Sequence, residues 1–276
     1  MTMAPQDIFP ALADWVATLD DTFPGAWVKP YFAQWEVGHI LTLALLGGCS
    51  ILLNLRLIGY GLTDEPPSEV RRGVLKWLNI GVVGVVVTGI LIGASNAERL
   101  YTSEAFTAKM LGLAAALVLT YGVSLPLAKS EGRAGPGAHL AGLLGVLLWA
   151  ASLWVFGVSK LINPGVWHVI FAAALIVLFV TRGVTRIVYV ATGVALVTAL
   201  YVMNRVVISP DDYARLDPMN KAFALGFAAW IVAAVAVQLV TSGRGSQGGA
   251  FTKAMAYAAI LVWVTTAAAG RWIAFA

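Results

Sequence analysis

Uninterrupted apolar runs of helix length constrain this chain more than any other feature. Stretches such as "IGVVGVVVTGILIGA" and "AAALIVLFV" are continuously hydrophobic, without the alternation that marks a half-buried strand. About 20 apolar residues cross the roughly 30 Å of bilayer hydrocarbon. Runs of that kind recur at 37–60, 73–95, 106–128, 138–160, 165–182, 185–205, 219–241 and 252–274. With 59% hydrophobic and 12% charged residues, the chain lies far from the balance of a soluble domain. The expected fold is therefore all-α, a polytopic membrane protein of about eight transmembrane helices. A β-barrel would need short alternating strands instead. Only "TRGVTR" separates the fifth and sixth runs, which also read as one kinked element. Gly81, Gly84, Gly89 and Ala114 to Ala116 lie inside the runs and read as positions of close helix packing.

The positive charges give an orientation. If the runs alternate in direction, one face collects Arg56, Arg71, Arg72, Lys76, Lys129, Arg133, Arg182, Arg186, Arg244 and Lys253, against the acids Asp64, Glu65, Glu69 and Glu131. The opposite face carries the other ten of the 14 acids and the remaining eight of the 18 basic residues. By the positive-inside rule the basic face is cytoplasmic, which predicts a bacterial inner-membrane protein with both termini periplasmic. The formal net charge of +4 is then mostly an orientation signal and gives no reason to expect nucleic acid.

The first 36 residues are acidic and aromatic, and lack the basic start and apolar core of a signal peptide. Phe9, Trp15, Trp27, Tyr31 and Trp35 favour the headgroup level, so short interfacial helices on the outer surface are expected. Cys49 is the only cysteine, which excludes an intramolecular disulfide; it reads as a small core residue.

The chain also looks internally repeated. The segment from Lys109 to Lys160 and the segment from Lys221 to Arg271 both read as a lysine, a helix, a turn rich in Gly and basic residues, and a helix ending in a cation. Extended to the preceding helices, the repeat predicts two four-helix units, 37–162 and 165–276, of the same orientation. His39 in "EVGHIL" and His168 in "GVWHVI" then hold matching places at the outer start of each unit. His139 has no counterpart.

That placement suggests a site. Two neutral imidazoles can bind haem iron axially, and Lys109, Lys160, Lys221 and Arg271, ending helices on the same side, can pair with propionates. One b-type haem near the periplasmic face would fit His39 and His168 as metal ligands. A pocket for an anionic lipid or substrate would fit the same residues. Taken singly, histidines at a membrane boundary also read as wetted groups, and terminal lysines as snorkelling ones.

No His-Glu-x-x-His, Walker or Gly-x-Ser-x-Gly motif occurs, and "GRGSQGG" at 243–249 reads as a flexible turn. All acids fall outside the runs or at their edges, which argues against a carboxylate proton pump. Polar residues within or near the runs are Asn54, Arg56, Asn79, Tyr121, Gln238 and Tyr257; Arg56 reads first as an anchor at the cytoplasmic boundary.

His39 followed by "ILTLALLGGCSILLNLRLIG", with the closing "GRWIAF", resembles an uncharacterised group of bacterial inner-membrane proteins built on histidine-containing helices. More distantly the chain is similar to copper-resistance D and cytochrome b561-like membrane proteins, a likeness that implies haem or redox work at a membrane face. The paired histidines deep on both sides that mark the b561 pattern are missing, so electron transfer across the membrane through two haems is not implied. The expected function is an electron-transfer subunit oxidising quinol for a periplasmic redox partner. The alternatives are a non-redox accessory subunit of a larger membrane complex and a small-molecule transporter.

Overall fold

The computed structural model describes residues 3–158, 166–209, 211–241 and 249–275, and every regular element among them is helical. Three short helices, α1 (Pro5–Ile8), α2 (Ala13–Leu19) and α3 (Gly25–Val28), lead into the long α4 (Phe32–Ile58). Next come α5 (Pro67–Ala94), the short α6 (Ala97–Tyr101), α7 (Glu104–Leu119) continuing into α8 (Leu125–Lys129), and α9 (Pro136–Val158). The remaining helices are α10 (Val166–Val180), α11 (Gly183–Val202), α12 (Tyr213–Thr241) and α13 (Ala250–Trp272).

Among the described residues seven helical stretches are long and apolar enough to cross a membrane: Gly25–Ile58, Pro67–Ala94, Glu104–Lys129, Pro136–Gly157, Gly183–Val207, Tyr213–Gln238 and Ala250–Trp272. The protein is thus an all-α multi-pass membrane protein. The fifth expected run forms a shorter helix of 15 residues, α10. It stops because Arg182 is extended (φ −139°, ψ 161°) and Gly183 adopts φ +59°, a conformation that glycine takes without a Cβ penalty. The fifth and sixth runs are therefore two helices. The Tyr189 hydroxyl donates to the Ala174 carbonyl at 3.0 Å, a bond that requires α11 to fold back beside α10.

The chain forms two compact units, Met1–Gly165 with Gln247–Ala276, and Val166–Ser246. This division cuts across the halves 37–162 and 165–276 read from the repeat, because α13 packs in the first unit on α7, α4 and α9. Its sequence suits that position: Ala256, Ala259, Ala268 and Ala269 are all buried, so neighbouring backbones come close, while Ile260, Val262 and Trp263 fill the space beside them.

In the first unit, glycines set the helix separations. A Cβ on Gly81 would lie 2.8 Å from the Leu46 Cβ and 2.9 Å from the Leu46 backbone nitrogen, so α4 and α5 are in near backbone contact. Gly112 of α7 gives the same room to Thr266 of α13 and Ser152 of α9. Hydroxyls and indoles then cross-link the helices, since polar groups in hydrocarbon must find partners within the protein. Ser152 donates to the Ala108 carbonyl (2.7 Å), Trp149 Nε1 to Thr265 (2.8 Å) and Trp263 Nε1 to Thr120 (3.2 Å). Ser124 donates to Asn54 Oδ1 (2.8 Å), and Asn54 Nδ2 donates to the Ser50 carbonyl (2.8 Å). Between α7 and α8 the helix widens to a π turn at Thr120–Ser124. Pro126 explains it: having no N–H for the carbonyl four residues earlier, it forces a local rearrangement.

The N-terminal helices expose Phe9, Trp15, Phe23, Trp27 and Tyr31. They are held to the α5–α7 connection: Asp20 accepts from the Ala97 N–H (2.9 Å) and the Tyr101 hydroxyl donates to the Phe9 carbonyl (2.6 Å). At the same end Arg99 bonds the Ala274 carbonyl, so in the first unit the N-terminal segment and the end of α13 share one side.

In the second unit α10 and α12 run parallel, joined by Trp167 against Phe227 (ring centroids 5.7 Å apart) and by Gln238 Nε2 donating to the Val180 carbonyl (2.9 Å). Trp230 of α12 stacks on Tyr189 of α11 at 4.1 Å and donates to Thr192 at 2.9 Å. Gly193 leaves the room for its ring.

The α4–α5 seam yields a test. Gly81→Val forces the helices apart and should cost about 1–3 kcal/mol, read as a lower midpoint of thermal aggregation in detergent. Gly73→Ala in the same helix meets nothing within 4 Å and should leave that midpoint unchanged or raise it.

Candidate functional site

Chemistry-bearing side chains in the first unit gather near the end where α4 and α7 begin and α5 and α13 finish. His39 lies about 10 Å, and Lys109 about 8 Å, from the first residues of their helices at roughly 1.5 Å per residue. Both are half-buried. The two side chains are close enough to interact electrostatically. Lys109 lies along α13, where a Cβ on Gly270 would be 3.5 Å from its Cε and 3.7 Å from its Nζ. Glycine at 270 therefore gives the lysine stem its track.

The hydrogen bonds of His39 fix its tautomer. Its Nδ1 lies 2.8 Å from the Thr88 hydroxyl oxygen, and that hydroxyl lies 2.6 Å from the Gly84 carbonyl of its own helix. A carbonyl only accepts, so the Thr88 proton goes to Gly84 and Nδ1–H of His39 donates to Thr88. The Nε2 atom is left with its lone pair, the form in which an imidazole accepts a hydrogen bond or ligates a metal. Gly89 lies beneath the ring, where a Cβ would come within 3.3 Å of Cε1. The result is a neutral acceptor beside an ammonium. Among the described residues no hydrogen bond or ion pair reaches that ammonium.

The other residues expected at the site are distributed as follows. Arg271 is exposed in the last turn of α13, next to Gly270 and hence on the His39 side of this unit. Lys160 lies outside the described residues. His168 and Lys221 belong to the second unit, at the end where α10 and α12 begin; both are exposed, and Lys221 pairs with Asp217 at 2.7 Å. His139 is exposed at the start of α9, its Nδ1 3.0 Å from the Gly135 carbonyl and its ring stacked on Phe251 at 4.3 Å. Arg56 is buried at the opposite end of the unit, where its Nε donates to the Glu65 carbonyl in the loop after α4. That bond ties the end of α4 to its own following loop. Tyr121 donates to Asn79 at 2.7 Å.

Thr88 is the site residue that sequence reading misses. In "VVVTGILIG" a lone hydroxyl looks like any helix-compatible spacer, and only the α4–α5 seam reveals its partner. Among the described residues no group of three or more His, Cys, Asp and Glu side chains converges as a metal cage.

The tautomer assignment is directly measurable. In protein labelled with nitrogen-15 at histidine, His39 should give the shifts of an Nδ1–H imidazole. Thr88→Val, which keeps the shape and removes the acceptor, should convert it to a mixture of tautomers.

No curated protein and no solved structure matches the chain, so the likeness to copper-resistance D and b561-like proteins gains no support from them. The family model for DUF6644, a family of unknown function, matches residues 13–159. That stretch holds His39, Thr88 and Lys109 and covers more than half of the sequence, and the chain belongs to this family.

Proposed function

We propose that this protein is an electron-transfer subunit of a bacterial inner membrane, holding one b-type haem at the His39 end of the first unit and drawing electrons from quinol for a periplasmic partner. One observation carries the reading: the His39 Nδ1 proton is committed to Thr88, which leaves the Nε2 lone pair for a ligand beside the Lys109 ammonium, which meets no partner among the described residues. A haem iron asks the protein only for axial ligands, and its propionates ask for cations. The residues present fit those needs: His39 would ligate the iron, and Lys109 and Arg271 would pair with the propionates. Fixing the far ring nitrogen by a hydrogen bond is the usual way a protein orients a ligating imidazole. When bound, the haem would supply one-electron chemistry at the membrane face; the protein's part is to hold and orient it and to exclude water with the apolar helices around it.

Orientation follows from charge. In the first unit the end opposite His39 carries Arg56, Arg71, Arg72, Lys76, Lys129, Arg133 and Lys253, and the positive-inside rule makes that end cytoplasmic. His39 then faces the periplasm, where a soluble redox partner would meet it.

The test is optical. Detergent-purified protein, expressed with ample haem supply, should show a sharp b-type spectrum after dithionite reduction, and pyridine haemochrome should return one haem per chain. His39→Ala should abolish the absorption while the protein remains monodisperse. A colourless wild type, or pigment retained by His39→Ala, sinks the assignment.

A further inference from the structure

The opposite end of the first unit holds a second cation in an unusual electrostatic position. Lys253 lies in the first turn of α13, on the stripe that continues through Ala256, Tyr257 and Ile260, all buried. It is itself only 7% exposed, and its ammonium meets no hydrogen-bond or ion-pair partner among the described residues. The stem is thus packed in the protein while the ammonium at its tip has no counter-charge beside it among the described residues.

Its place on the helix disfavours a cation. The N-terminus of a helix carries positive partial charge on N–H groups that have no partner within the helix, so a cation there is repelled. Helical side chains tilt toward the N-terminus, which carries the Lys253 stem back toward those amides. Gly249 at the cap position offers no side chain, and the first turn contains no acid. Neither carboxylate of this end forms an ion pair with Lys253: Glu69 pairs with Arg72, and Glu131 accepts from the Ser68 N–H through Oε1 (3.3 Å) while its buried Oε2 meets no partner among the described residues. Thr252 uses its hydroxyl proton on the Gly132 carbonyl (2.8 Å), tying the turn down instead of neutralising it.

An anion would resolve each of these features together. Open amides at a helix N-terminus bind oxyanions, and an ammonium beside them supplies the charge. We infer that the first turn of α13, with Lys253, is a phosphate-binding site whose occupant is the headgroup of an anionic phospholipid. A lipid suits the position better than free phosphate, because this turn begins the span Ala250–Trp272 and so lies at headgroup level. The basic residues around it are of the kind that draw anionic lipid to a membrane protein. This site is independent of the His39 end and of any haem there.

Native mass spectrometry of the full chain tests it, with titration by dioleoylphosphatidylglycerol or by dioleoylphosphatidylcholine. Wild type should retain the anionic lipid preferentially, and Lys253→Met should reduce that preference about fivefold, the effect of one interfacial charge. Lys253→Arg should keep the preference, and so should Lys129→Met, which removes an exposed lysine of α8. Circular dichroism and gel filtration confirm that each variant is folded. A wild type that does not discriminate between the lipids overturns the site whatever the variants do, as does an unchanged preference in folded Lys253→Met. Inorganic phosphate displacing the bound lipid at equal concentration overturns the lipid as occupant.

Discussion

The near contact of α4 and α5 at Gly81 is the constraint on which the first unit depends. Inside hydrocarbon, apolar surface does not sort helices, since lipid chains are as apolar as leucine; close packing and interhelical hydrogen bonds must do so. Glycine opposite Leu46 brings two backbones together, and the contact then places Thr88 against His39 two turns further along. A wider seam would leave His39 free to choose its tautomer. The geometry of the candidate site is thus a product of helix separation before it is a product of the histidine.

Polar residues distribute themselves along the same logic. Ser50, Asn54 and Ser124 form a closed chain of donors and acceptors in the interior, and the two indoles of Trp149 and Trp263 reach hydroxyls on neighbouring helices. These groups are satisfied within the bundle and act as pins. Lys109 and Lys253 are different, because among the described residues no carboxylate forms an ion pair with either.

Much of this was legible in the sequence, and the reasons for the rest are physical. Helix-length apolar runs identified the membrane helices, because the bilayer imposes one length on all of them. The break at Arg182 and Gly183 was visible as "TRGVTR", yet whether it kinked or reversed the chain depended on a backbone torsion. His39 and Lys109 stood out as polar groups near a boundary. Thr88 did not, since its role exists only across a contact between residues 49 positions apart. The repeat suggested that α13 belonged with the later helices, but small residues on its inward face suit it to the first unit, and periodicity along a chain carries no information about which groove a helix fills. Lys253 was read only as an orientation charge, because burial cannot be seen from composition.

The position of α13 has a consequence for biogenesis. Ribosomal synthesis delivers α4, α5, α7 and α9 first, and then the three helices of the second unit, before the helix that completes the first unit exists. During that interval the groove that receives Ala256, Ala259 and Trp263 stands open to lipid, with the Thr120 and Thr265 contacts unmade. The two units are therefore coupled in time: translation of the second sets how long the first must wait, and its last helix must find a groove made much earlier.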